Sequence, residues 1–178
     1  MDILNIRHQR HFCNKIWQAT RFLFLHLNAE GSDFEYLPID DDVVRCRLSV
    51  QDEEILDNYQ AMVNNCHEGL EGFEMRWATS AIHKFIWFQL CDVYLEHSKP
   101  FLNDFNSGQR NLKLSVILFC LEGSMRALHP FMPFLTEELW QRMIVLMQRE
   151  LLSESICLSS YPSKMERADT SCDAIDVE

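Results

Sequence analysis

Apolar residues along this chain recur at three- and four-residue steps, and no segment alternates with the period of two that a half-buried strand requires. The longest such stretch spans residues 1–30, which contain neither Gly nor Pro. There Phe12, Ile16, Ala19, Leu23 and Leu27 define one helical face, while Asn14, Lys15, Gln18 and Arg21 share another. A linker with Gly31 and Pro38 follows. Asp41 or Asp42 can then cap a second helix with Val44, Leu48, Ile55, Tyr59, Met62 and Val63 as its apolar stripe and Asp52, Glu53 and Glu54 as its wet face. Gly69 and Gly72 break that helix.

The pattern predicts a third helix from about Met75 to Ser98, apolar round most of its circumference and therefore the central one, ended by Pro100. A turn-rich loop over 103–108 leads to a fourth helix, roughly Arg110 to Leu128. His129-Pro130-Phe131-Met132-Pro133 then forbids a continuous helix, because each proline lacks an N–H and restricts its predecessor. Thr136 is the expected cap of a fifth helix, with Glu137 and Glu138 in its first turn and Phe131, Phe134 and Trp140 in the core. The expected fold is an all-α bundle of about five helices, mostly antiparallel because the links are short. It occupies 1–160, and 161–178 is a polar acidic tail expected to be disordered.

Composition narrows the chemistry. The chain has 178 residues, 47% of them hydrophobic, enough for one core, and no apolar run long enough to span a bilayer. Seven cysteines lie scattered, mostly among apolar neighbours, as thiols do in a reducing compartment. His8, His11 and Cys13 are the one imaginable ligand group, and no second cluster completes a tetrahedral set, so no metal is expected. The N-terminus has neither secretory nor transit character.

The formal net charge of −11 argues against phosphate binding over the whole surface. Residues 1–27, however, hold Arg7, Arg10, Lys15 and Arg21 against Asp2 alone. The first helix is a basic element in an acidic protein, and its amides and cations are groups that read base edges and phosphates. The alternative is that they form the solvated side of an amphipathic helix. Asp92 and Glu96 lie one turn apart; a structural salt bridge from Arg21 or Arg126 is expected, since no nucleophile or second base accompanies them.

Four ordered motifs carry a resemblance to the anticodon-binding domain of valyl-tRNA synthetase, a class I aminoacyl-tRNA synthetase. They are Phe12-Cys13-Asn14-Lys15-Ile16-Trp17 with Ala19-Thr20-Arg21-Phe22, Leu90 to Glu96 with Lys99-Pro100, His129 to Trp140, and Ser155-Ile156-Cys157 with Tyr161-Pro162. The resemblance covers about residues 7–162. Gln18 stands where the family commonly has Asn, and Val43 where it has an aromatic residue. The resemblance implies a tRNA-binding module in which Asn14, Lys15, Trp17, Gln18 and Arg21 meet RNA, while Asp92, His129, Pro130, Pro133 and Trp140 are structural.

The implied partners are valine-accepting tRNA and a catalytic domain, with no membrane and no DNA. These 178 residues contain neither ATP-site motif of the family, so the chain is expected to hold no cofactor and not to activate valine alone; ATP would belong to the catalytic domain. The expected compartment is the cytoplasm, with the mitochondrial matrix as the alternative. The competing reading is a helical scaffold that kept the bundle and no longer binds RNA.

Overall fold

A computed structural model of the chain describes residues 3–28, 34–104, 108–147 and 153–163. They contain helices and turns and no strand, as the period-3.6 pattern requires. Helix α1 spans Ile3–Leu27, the one-turn α2 Asp42–Arg45, α3 Val50–Glu71 and α4 Met75–Lys84. A π-helical segment, Phe85–Tyr94, continues α4 into α5, Leu95–Leu102. Then come α6, Gln109–Leu128, α7, Pro133–Met147, and a 3₁₀ turn at Ile156–Leu158. With α4, the π segment and α5 counted as one rod, the described residues form five long helical rods.

The predicted second helix is in fact two. Asp41 caps only α2, by accepting from the Val43 N–H at 2.8 Å. Ser49 opens α3 with a capping box: its Oγ faces the Asp52 N–H, and the Asp52 carboxylate accepts from the Ser49 N–H at 2.9 Å. Asp52 is therefore not on the wet face. It is fully buried, on the stripe of Ile55, Leu56, Tyr59, Met62 and Val63. Glu53 and Glu54 do face solvent.

The rod from Met75 also departs from expectation. Its buried residues Phe85, Ile86, Leu90, Cys91, Tyr94 and Leu95 advance by four and five, the step of i→i+5 hydrogen bonding rather than of an α-helix. That wider winding turns Phe88 (54% exposed) and Val93 out of the core, and Trp77 is also exposed. Pro100 lies inside α5 and does not end it. The central helix is instead α6, where the run from Leu112 to Leu118 is buried on every side. Gly123 of α6 is obligatory, because a Cβ there would lie 2.0 Å from the Tyr59 Oη.

At the elbow, Pro133 is the first residue of α7, where its missing N–H costs nothing. Thr136 is thus not the cap; it lies within the first turn and its hydroxyl donates to the Met132 carbonyl at 2.9 Å. Trp140 is fully buried and its Nε1 donates to the Ser153 carbonyl at 3.2 Å. Phe131 is half-buried and packs on the core, whereas Phe134, expected inside, is 91% exposed. Beyond the 3₁₀ turn, Tyr161 packs on the core and the Pro162 carbonyl lies 2.8 Å from the His67 Nε2. Residues 164–178, most of the expected tail, lie outside the described residues. Among the described residues, no helix is long and apolar enough to cross a membrane.

Candidate nucleic-acid interface

Helix α1 packs on α6, α7 and the π segment through Phe12, Ile16, Ala19 and Leu23, all buried. Burying that stripe fixes the rotation of the helix and so decides what the opposite side shows. Arg7, His11, Asn14, Gln18 and Arg21, spaced by three and four residues, are all exposed. They form one line about 21 Å long at the helical rise. Asn14, Gln18 and Arg21 make no hydrogen bond or ion pair with the other described residues. Two amides and a guanidinium thus stand with their full donor and acceptor capacity facing water.

Lys15 and Trp17 sit on the flanks of this line and are half-buried. The Lys15 ammonium donates to the Asp92 carboxylate and lies 5.0 Å from the centroid of the Trp87 ring. Asp92 is paired, but with Lys15 and not with Arg21 or Arg126. Arg126 instead bonds Glu122 at 2.8 Å, and Glu96 bonds Lys99 at 2.6 Å. Trp17 lies under the Arg142 guanidinium at 4.9 Å. Arg142 is itself forked onto Glu138 at 2.8 and 2.6 Å.

Beside Lys15 is an aromatic cluster that the sequence pattern did not single out. His83 packs against Phe12 at 4.6 Å and stacks on Trp87 at 5.4 Å, and Trp87 meets the exposed Phe88 at 6.4 Å. Burial, with the nearby His8 adding to it, lowers the His83 pKa and favours the neutral imidazole. The signal that could have found this cluster is the density of rings between His83 and Phe88. Its partial exposure was hidden by the π register.

The second polar centre lies in the core. The Lys113 ammonium donates to Asp52 at 2.7 Å and to the Ser49 hydroxyl at 2.9 Å, and the Tyr94 hydroxyl donates to the same carboxylate. The Tyr94 and Phe101 rings flank the ammonium at 5.8 and 5.2 Å. Burial alone would raise the Asp52 pKa, but donors from Lys113, Tyr94 and Ser49 outweigh it and hold the carboxyl below its ordinary value. The group ties α3, the π segment and α6 together and leaves no donor aimed outward.

The described residues thus form an all-helical bundle that carries a line of solvent-facing amides and cations on one surface helix. Residues 52–177 match the family described as the anticodon-binding domain of tRNA ligase, and the chain belongs to that family. Its relatives include the valine–tRNA ligase of Thermotoga maritima, 38% identical over 85% of this chain and 15% of that protein. A mitochondrial valine–tRNA ligase of Sus scrofa is 40% identical over 86% of this chain and 14% of its own. That of Caenorhabditis elegans is 33% identical over 91% and 15%. The chain therefore spans about 15% of the length of the curated relatives it matches. The exposed line at 7–21 precedes the stretch matched by the family.

Proposed function

We propose that this chain is the anticodon-binding helical domain of a valine–tRNA ligase and that the exposed line of α1 touches the anticodon loop. The observation that supports this most directly is the outward set of Asn14, Gln18 and Arg21, with no partner among the described residues. Single-stranded loops are recognised by hydrogen bonds to splayed base edges, by ring stacking and by cations on phosphates. In this reading Asn14 and Gln18 read edges and Arg21 meets a phosphate or a base. Lys15 and Trp17 border the contact from positions fixed by Asp92 and Arg142. The partners are valine-accepting tRNA and the rest of a ligase, which would bind ATP and valine; this segment by itself carries out no aminoacylation. Neither a membrane nor DNA is a partner, and the compartment is wherever such a ligase serves translation, cytoplasm or mitochondrial matrix.

The test is a titration of the chain with transcribed valine-accepting tRNA at several salt concentrations. Arg21→Gln is expected to weaken binding at every salt and to flatten the salt slope by about 1 if Arg21 neutralises a phosphate. Gln18→Asn is expected to change discrimination among anticodon loops instead, because an amide reads edges rather than charge. Two observations favour a second reading, a scaffold that no longer binds RNA: the net charge of −11, and Asp92 already engaging Lys15. Folded chain that ignores tRNA even at low salt while a protein partner co-purifies with it would establish that reading.

A further inference from the structure

The elbow between α6 and α7 brings together three side chains to which the RNA-binding reading assigns no contact. His129, Glu137 and Cys157 each offer a ligand atom, and these atoms all lie within 4.8 Å of one another. Among the described residues it is this group, rather than His8, His11 and Cys13, that has metal-ligand geometry. The His129 Nε2 is 3.0 Å from the Cys157 Sγ. Its other nitrogen, Nδ1, lies 2.7 Å from the Thr136 hydroxyl, which already donates to the Met132 carbonyl. A hydroxyl that spends its proton on a carbonyl can only accept, so Nδ1 carries the hydrogen and Nε2 presents its lone pair to the thiol.

Glu137 is held just as firmly. One carboxylate oxygen accepts from the Ser155 hydroxyl at 3.0 Å and the Ile156 N–H at 3.2 Å, and the other from Gln141 at 2.7 Å. Partial burial would raise its pKa, but the donors from Gln141, Ser155 and Ile156 outweigh it and lower it. An imidazole fixed through its second nitrogen and a carboxylate fixed by donors are the outer-shell supports found around metal ligands. The three ligands face an open cleft of about 470 Å³ between α7 and the 153–157 stretch, so an ion and a fourth, solvent ligand have access.

We propose that His129, Glu137 and Cys157 form a binding site for a borderline-soft divalent cation of the Zn²⁺ class, with water as the fourth ligand. The mixed nitrogen, sulfur and oxygen set selects against Mg²⁺ and Ca²⁺, which take oxygen alone. Zinc bonds of ordinary length at a tetrahedral angle place N and S about 3.6 Å apart. The pair therefore opens by roughly half an ångström on binding, a small turn of the exposed Cys157 side chain. The thiol proton passes to bulk water as the sulfur becomes a thiolate ligand. The bound ion would pin the 3₁₀ turn at Ile156–Leu158 to both ends of the elbow.

The experiment titrates Co²⁺, as a spectroscopic stand-in for Zn²⁺, into the reduced full chain, and then displaces it with Zn²⁺. Expected are a thiolate-to-cobalt charge-transfer band and the strong visible bands of a four-coordinate ion, both abolished by Zn²⁺ and unaffected by Mg²⁺. Cys157→Ala should remove the charge-transfer band while Cys13→Ala retains it. His129→Gln and Glu137→Gln should each weaken binding by more than the ~10–100-fold that loss of an outer-shell partner costs. Zn²⁺ should also raise the melting temperature of the parent and leave that of Cys157→Ala unchanged, since an ion that binds only the folded state stabilises it. Cys157 is exposed, so its alanine variant keeps the fold, and an unaltered far-ultraviolet spectrum checks this. A parent that gives no thiolate band, or a band that survives Cys157→Ala, overturns the proposal and leaves His129 and Cys157 as a simple hydrogen-bonded pair.

Discussion

Lys113 and Lys15 face the same kind of partner, an aspartate carboxylate beside aromatic rings, in opposite surroundings. Lys113 and Asp52 are almost fully buried, at 2% and 1% side-chain exposure, whereas Lys15 and Asp92 keep 29% and 45%. The buried pair needed every remaining donor and acceptor matched before it could leave water, because desolvating two charges costs several kcal/mol each. Ser49 and Tyr94 supply those matches. The surface pair needs no such escort, since water completes its coordination and also screens its attraction. Both pairs join helices, but one is sealed among α3, the π segment and α6, while the other links α1 to the π segment at the surface.

The sharpest way to break the comparison is to remove one buried partner. Asp52→Asn keeps the shape but leaves the Lys113 charge without a counter-ion inside the core, and also weakens the cap of α3. The expected loss is about 3–5 kcal/mol, the range for stranding a buried charge, read as a shift in the urea midpoint. A loss below about 1 kcal/mol would mean that water reaches Lys113 and that the two pairs do not differ in kind. The double variant Asp52→Leu/Lys113→Met sharpens the test. Replacing both charges by apolar groups should cost less than Asp52→Asn alone, because no orphaned charge remains.

Acid should separate the pairs next. The folded-state pKa of Asp52 lies below its unfolded value. Its contribution to stability is therefore fully present above the ordinary carboxylate range, and is lost as pH falls through that range and on through the lower folded pKa. Melting temperatures taken from neutral pH downward should fall more steeply for the parent than for Asp52→Asn, which has no carboxylate to protonate. Parallel curves would assign the acid sensitivity to other carboxylates.

How much of this was legible depended on whether a residue's surroundings are local. The stripe of α1 could be read from spacing, and so could the side that shows Asn14, Gln18 and Arg21, because one helix packing on one core fixes both. The burial of Trp140 followed from a large ring after a double-proline corner. Asp52 was misread because it stands in a run with Glu53 and Glu54. Yet it lies seven residues before Tyr59, hence on the buried face, and Ser49 three residues earlier announced a capping box. Lys113 was equally visible, as a charge in the apolar run of α6 that has to be paired. What could not be read was the π register, since i→i+5 bonding is a property of how the rod packs. That register exposed Phe88, and it placed Asp92 opposite Lys15 and not opposite an arginine. The His129–Glu137–Cys157 group was hidden for the same reason, its members being brought together by the fold of the elbow across 28 residues.

The smallest effect expected is also the one that joins the comparison to function. Asp92→Asn removes the surface carboxylate, and the expected loss of stability is about 0.2–1 kcal/mol, diminishing as salt is added, as for other exposed pairs. The Lys15 ammonium keeps its place against the Trp87 ring, a contact that contributes about 0.5–1 kcal/mol at exposed sites. With its counter-ion gone, that cation is free to face a phosphate beside the line of Asn14, Gln18 and Arg21. If α1 is the RNA-binding face, Asp92→Asn should bind valine-accepting tRNA more tightly than the parent, with a salt slope steeper by up to about 1. Lys15→Met should cost as little stability while failing to gain affinity. A destabilisation by Asp92→Asn as large as that of Asp52→Asn would erase the contrast between surface and core. Unchanged tRNA affinity in Asp92→Asn would place the RNA contact away from Lys15.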